Sequence, residues 1–185
     1  MSSVVMLYHG SSAVVAHPEA ARNAGFSDLG RGFYLTDDRE AAAGRARSRA
    51  RKDGVAHGAV SAFAFDEDAL PWVTLGTSEP VSPTDGPFGL RFAVTRAGIE
   101  AWVDYVLACR AGKTTVEGVG EPAVTRAWIA TEELEMVASG YLSPAELAAY
   151  ADPAELVVQY CFRDQRLIDD HLVFRGDVSS RSLVS

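Results

Sequence analysis

The chain has 185 residues, 48% of them apolar, and a formal net charge of −8. That length and composition suit one globular domain with a sizeable core, and the acidic balance excludes a general nucleic-acid binder. No apolar run approaches the roughly 20 residues that cross a bilayer, the first residues lack the basic region of a signal peptide, and Cys109 and Cys161 lack the spacing of a zinc site or a disulfide framework.

Residues 4–8 read as a strand buried on both faces. Residues 11–27 follow as a loop with a short helix at 18–23, and 33–35 as a short strand. Thr36 is the expected N-cap of an Ala- and Arg-rich helix over 37–51, with Asp37 and Asp38 suited to its first turn and Gly54 to its stop. Arg39, Arg45, Arg47, Arg49, Arg51 and Lys52 on that helix read as a solvated face or as a patch for phosphates, a nucleic-acid target or an acidic partner. Alternation over 58–65 predicts a central strand and 71–75 a shorter one, with loop from 76 to 89. Thr95 caps a helix to about Arg110 whose stripe of Ile99, Trp102, Val103, Val106 and Leu107 faces the core.

A Gly-rich loop over 111–121 leads to a strand at 124–130 and a helix at 131–139. Ser143-Pro144-Ala145-Glu146 is a capping box with proline at the first helical position, opening a helix to Tyr150. Residues 156–162 are the clearest late strand, 167–174 return along the sheet, and 176–185 read as a frayed tail. Short strands mixed with helices in no regular βαβ order, without linker or repeat, predict a single α+β domain over 1–185.

Two stretches are explained by neither composition nor periodicity. In Leu7-Tyr8-His9-Gly10-Ser11-Ser12 an apolar strand breaks into histidine and glycine; His9 offers a ring nitrogen to a hydroxyl, and Gly10 opens its backbone to close approach. In Asp28-Leu29-Gly30-Arg31-Gly32-Phe33-Tyr34-Leu35-Thr36 two glycines flank an arginine before a short aromatic strand, without the third glycine and helix start of a dinucleotide fingerprint. Taken singly, His9 reads as a structural histidine and the two glycines as turn residues.

Together these stretches resemble the first two motifs of the ADP-ribosyltransferase superfamily, in its His–Tyr branch. They resemble more closely a family of small bacterial proteins of that fold, long of unknown function, whose third motif is a Gln-x-x-Phe strand, here Gln159-Tyr160-Cys161-Phe162. Trp102-Val103-Asp104-Tyr105-Val106 resembles a helix of the same family, and Arg110 its closing arginine. The resemblance runs from about Leu7 to Phe174. It implies an ADP-ribosyltransferase-like fold, short mixed or antiparallel strands in a split sheet around one NAD cleft lined by His9, Gly10, Tyr34 and Gln159; His9 and Tyr34 on opposite faces of the sheet would end that reading.

The implied activity is cleavage of the nicotinamide–ribose bond of NAD and transfer of ADP-ribose to a protein or nucleic-acid target, as in a bacterial toxin or effector acting in the cytoplasm or a target cell, with an antitoxin or immunity partner and no membrane. The implied catalytic residues are His9, Tyr34 and Gln159. NAD contacts would come from His9 to a ribose hydroxyl, Gly10 to the nicotinamide amide and Tyr34 to the nicotinamide ring, with Ser11, Arg31, Gly32 and Phe33 beside them and Arg31 toward the phosphates. Departure of neutral nicotinamide leaves oxocarbenium character on the ribose, as in glycoside cleavage. Active polymerase-like relatives carry glutamate at the third motif; Gln159 can orient a ribose but brings no full charge. Glu133 and Glu135 form a rival Glu-x-Glu third motif on the helix at 131–139. An NAD glycohydrolase, an NAD-using RNA 2′-phosphotransferase and a catalytically silent NAD or ADP-ribose binder stay open beside the transferase.

Overall fold

A computed structural model describes residues 3–179 apart from 21–26, 80, 83, 130–131 and 153–154. Its elements run β1 (Val4–Ser11), β2 (Phe33–Thr36), α1 (Arg39–Asp53), β3 (Ala59–Asp66), β4 (Trp72–Leu75), β5 (Gly89–Phe92), α2 (Arg96–Arg110), β6 (Val124–Trp128), α3 (Glu132–Ala138), α4 (Pro144–Tyr150), β7 (Val158–Phe162), α5 (Gln165–His171) and β8 (Leu172–Asp177). The strands form one mixed sheet in the order β4-β5-β6-β7-β2-β1-β3-β8. The β4–β5 and β5–β6 pairs are parallel and the others antiparallel. The domain is α+β, as composition and element order predict.

The sheet is two halves held by a thread. Eight residue pairs join β1 to β3, but β1 meets β2 at Tyr8↔Thr36 alone. Side-chain alternation gives the sheet two faces. Leu7, Phe33, Leu35, Phe63, Phe65, Tyr160 and Phe162 pack on one; Tyr34, Cys161 and the apolar stripe of α2 pack on the other. On this second face α1 lies across β1 and β3 through a stripe of alanines, Ala42, Ala46 and Ala50, all buried.

Local signals set several boundaries as expected. Thr95 Oγ1 accepts from Gly98 N at the start of α2, Ser143 and Glu146 complete their reciprocal capping box on α4, and Gly54 ends α1 with φ 69°. Others differ. The N-cap of α1 is Asp38, whose carboxylate accepts from Glu40 N and Ala41 N; Thr36 Oγ1, two residues before it, accepts from Asp38 N at 3.1 Å and donates to the Val158 carbonyl of β7 at 2.7 Å. β1 is not buried on both faces: Val4 and Met6 are exposed, because α1 covers only the other end of the strand. Gly89–Phe92 is strand rather than loop end, and 165–171 is helix before β8 begins. Residues 176 and 177 belong to β8, and Val178 N–H donates to Val60 O, so the chain is anchored through that point. The short helix expected at 18–23 falls largely outside the described residues, as does the tail from 180.

Candidate functional site

The site is the gap where β1 leaves β2. Beyond the single Tyr8↔Thr36 pair the two strands diverge, and the His9 ring fills the first missing rung: Nδ1–H donates to the Tyr34 carbonyl at 2.8 Å. A carbonyl only accepts, so a proton sits on Nδ1, and in the neutral tautomer this bond selects Nε2 is the acceptor nitrogen. The ring lies against Phe33, with centroids 4.6 Å apart.

Gly10 comes next along β1, opposite Val60. Val60 spends its N–H on Ser179 Oγ and its C=O on Val178 N, both on the β8 side. Gly10 and Val60 therefore form a non-hydrogen-bonded pair, which turns the N–H and C=O of Gly10 away from β3 and into the gap. The absence of a side chain at Gly10 serves α1: a Cβ there would lie 1.9 Å from the Ala42 carbonyl oxygen and 2.8 Å from Ala46 N. Glycine lets the helix lie on the strand, and the peptide edge facing the gap follows from strand parity.

A cavity of about 290 Å³ opens in the gap, lined among others by His9, Gly10, Ser11, Gly32, Phe33 and Tyr34. Beside it lies a chamber of about 30 Å³ lined by Thr36, Ile129 and Gln159, and again by Gly10 and Tyr34. The four residues expected in one cleft thus border two adjoining spaces. The expectation about faces is corrected: strand parity puts His9 and Tyr34 on opposite faces of the sheet, and the reading is kept only because both nevertheless line the same cavity. Tyr8 pairs with Thr36, so Tyr8, Gly10, Tyr34 and Thr36 share one face, while His9 and Phe33 point to the other. His9 and Tyr34 meet across the split between the strands.

Tyr34 is 9% exposed and fixed at its tip. Its hydroxyl donates to the Gly30 carbonyl at 2.6 Å and accepts from Leu29 N at 3.1 Å; burial raises its pKa well above the ordinary phenol value. The same loop is held from two further sides. Arg110 donates from Nε and Nη2 to Asp28 Oδ1 at 3.0 and 2.7 Å, and Arg163 donates to the Leu29 carbonyl and, at 2.7 Å, to Thr125 Oγ1. Burial opposes the charge of Arg110, but its bonds to Glu135 and Asp28 outweigh that and raise its pKa. Gly30, at φ 81°, makes the turn within this clamp. Asp28, Gly30 and Tyr34 of the second motif therefore shape the loop that walls the cavity. Arg110 and Arg163 are their partners; the motif pattern pointed to Arg110, whereas nothing local marked Arg163.

Gln159 is 5% exposed on β7, paired with Thr36, and donates from Nε2 to the Trp128 carbonyl at 3.1 Å. That bond leaves Oε1 as its acceptor for a hydroxyl. Arg31 is exposed and lines neither space, so the structure does not bring it to the cleft. Glu133 and Glu135 are exposed on α3 and line neither space, and Glu135 pairs with Arg110 at 2.7 Å.

The arginines of α1 divide between two sites. Successive residues turn by about 100°, so 45 and 49 lie on one flank of the buried alanine stripe and 47 and 51 on the other. Arg45 and Arg49 line the cavity in the gap; Arg47 and Arg51 line a separate open groove of about 730 Å³ with His57 and Asp177. Among the described residues no group of three or more His, Cys, Asp and Glu side chains is placed to hold a metal ion, and no helix is long and apolar enough to cross a membrane.

Residues 5–80 match the model of a family described as a protein of unknown function, DUF3990. The match spans β1 to β4, and with them His9, Gly10, the second motif and α1; it stops before the strand that carries Gln159. No curated protein and no solved structure matches the chain.

Proposed function

We propose that the chain is an ADP-ribosyltransferase-like protein that binds NAD in the gap between β1 and β2 and breaks its nicotinamide–ribose bond. The observation that carries this reading is the peptide edge of Gly10, N–H and C=O side by side and turned away from β3, at a cavity that His9 and Tyr34 also line. A primary carboxamide offers one carbonyl and one amino group in the same plane, so an open strand edge is its natural partner.

In this reading Gly10 takes the carboxamide of nicotinamide, His9 Nε2 accepts from a ribose hydroxyl, and Tyr34, held by loop 28–30, walls the ring's pocket. Oε1 of Gln159 accepts from a hydroxyl of the nicotinamide ribose and orients it as positive charge grows at the anomeric carbon. The ADP-ribosyl group then passes to a macromolecular acceptor, or to water in a glycohydrolase. One observation favours a second reading, a binder without turnover: Gln159 brings a dipole where a carboxylate would bring a charge.

Release of nicotinamide from NAD, measured with and without bacterial lysate, separates the two. An enzyme releases it, and Gln159→Ala then lowers turnover far more than NAD affinity, because its contact tightens mainly in the transition state. His9→Ala weakens both. Binding of NAD with no nicotinamide released, lysate present, replaces the enzyme by the binder.

A further inference from the structure

Gly10, Tyr34 and Arg45 are common to the larger cavity and the small chamber of Gln159, so these three form the partition between them. Gly10 is backbone and Tyr34 is pinned at its hydroxyl. Arg45 is exposed, on a helix surface, and in no ion pair among the described residues. It is the only member of the partition with freedom to move. The chamber at about 30 Å³ is the size of one water molecule, too small for a pyridine ring until Arg45 withdraws.

Arg49 stands one turn further along the same flank and also lines the cavity. Residues 45 and 49 are separated by about 6 Å of helix rise, close enough for two long side chains to converge on the adjacent phosphates of a diphosphate, and arginine holds phosphate oxygens in pairs. Asp53, one turn beyond, and Glu19 are the carboxylates of the same lining. Asp53 places negative charge at the end of the lining beyond Arg49, where a third phosphate is repelled and hydroxyl or amino donors are accepted.

We propose that Arg45 and Arg49 bind the diphosphate of a dinucleotide laid along α1, and that Arg45, drawn to the phosphate, opens the chamber of Gln159 to the nicotinamide riboside. The orientation and the gate rest on the proposed NAD site; the diphosphate site does not need it. The role expected of Arg31 passes to these two residues, and the end of the cleft toward Asp53 takes the adenosine.

The test measures binding of NAD, ADP-ribose, ADP and nicotinamide by calorimetry to the wild type, Arg45→Ala, Arg49→Gln and, as a control on the opposite flank, Arg47→Gln. All three arginines are exposed, and circular dichroism checks that the variants fold. Arg49→Gln is expected to weaken ADP-ribose and ADP on the order of 10–100-fold and leave nicotinamide unchanged. Arg45→Ala is expected to weaken the diphosphates similarly and to tighten nicotinamide, since the partition is gone. Arg47→Gln changes none of them.

Unchanged diphosphate affinity in both cleft variants overturns the inference, and NAD turnover in the wild type then keeps the proposed function. Arginine-dependent ADP binding without NAD turnover or NAD binding does the reverse: the diphosphate site stands and the NAD reading falls. Nicotinamide affinity that falls or stays level in Arg45→Ala refutes the gate. Absence of all four ligands from the wild type overturns both.

Discussion

Replacing Gly10 by alanine puts one methyl group where α1 lies on β1. The added Cβ would sit 1.9 Å from the Ala42 carbonyl oxygen and 2.8 Å from its carbon, both backbone atoms of a helix that cannot yield by rotating a side chain. Overpacking in a well-filled core costs about 1–3 kcal/mol, and a rigid neighbour puts this case at the upper end, about 3 kcal/mol. In a chain of this size each kcal/mol moves Tm by about 2–4 °C, so thermal denaturation followed by circular dichroism should show a fall of about 6–12 °C. Gly44, on the same helix, is the internal control. A Cβ there meets nothing nearer than Arg47 Nη2 at 3.7 Å. Gly44→Ala should therefore gain the ordinary helix preference for alanine, about 0.5–1 kcal/mol, and raise Tm by about 1–4 °C. The same change is expected to act with opposite sign at a helix–strand crossing and on a helix flank. A Gly10→Ala protein as stable as wild type would refute the packing of α1 on β1, and with it the geometry of the gap.

Three further expectations follow from burial. Tyr34, Tyr105 and Tyr160 have pKa values raised first of all by desolvation, so the native state keeps protons that the unfolded chain sheds near pH 10; this stability is full below that pH and is lost above it, by about 1.4 kcal/mol per pH unit for each tyrosine, and urea titrations at pH 8 and 11 measure it. Burial pushes the Cys109 thiol up to about 11 and raises Cys161 as well; neither should be alkylated by iodoacetamide in the native protein at pH 8, whereas both should react in urea, as read by mass spectrometry. Gln159→Glu removes the donor to the Trp128 carbonyl and sets a carboxyl in its place; it should lower Tm, and a turnover that rises at once at neutral pH would contradict the burial of that position.

The strongest local signals carried the fold a long way. Thr95, Ser143 with Glu146, and Gly54 are side-chain or backbone solutions to helix ends, and each works within a few residues of itself. Thr36 does accept from Asp38 N at 3.1 Å, but it is still a residue of β2, tied by its hydroxyl to Val158, 122 residues away, so the helix opens two residues later at Asp38. Gly89–Phe92 was hidden because four residues containing a glycine and an arginine carry too little periodicity to outweigh the turn residues before them. The helix at Gln165–His171 spans two turns, and the adjacent Leu167 and Ile168 read as strand; Asp164, which caps it, was the signal available. The faces of His9 and Tyr34 depend on one long-range pair, Tyr8↔Thr36, that no local pattern encodes. Arg45 and Arg49 were visible only as members of a charge run, since their flank is fixed by which alanines the sheet buries.

The identity of residue 159 also has a structural side. The position is 5% exposed, and its side chain bridges β7 to β6 through the Trp128 carbonyl. A carbonyl there asks for a donor; an amide supplies one, and an ionised carboxylate would face it oxygen to oxygen, at the full cost of a buried charge. Glutamine is thus the residue that this backbone accepts, and a glutamate would serve only with its proton on. The proposed chemistry has to stabilise the growing positive charge on ribose with a dipole instead of an ion. Gly10 and Gln159 border the chamber from β1 and β7; with the edge of Gly10 given to the proposed carboxamide, the Gln159 amide is the dipole left for that charge. Such a dipole acts strongly when it is fixed and sheltered from water. In this site both residues come from the sheet, which holds them in place on either side of β2.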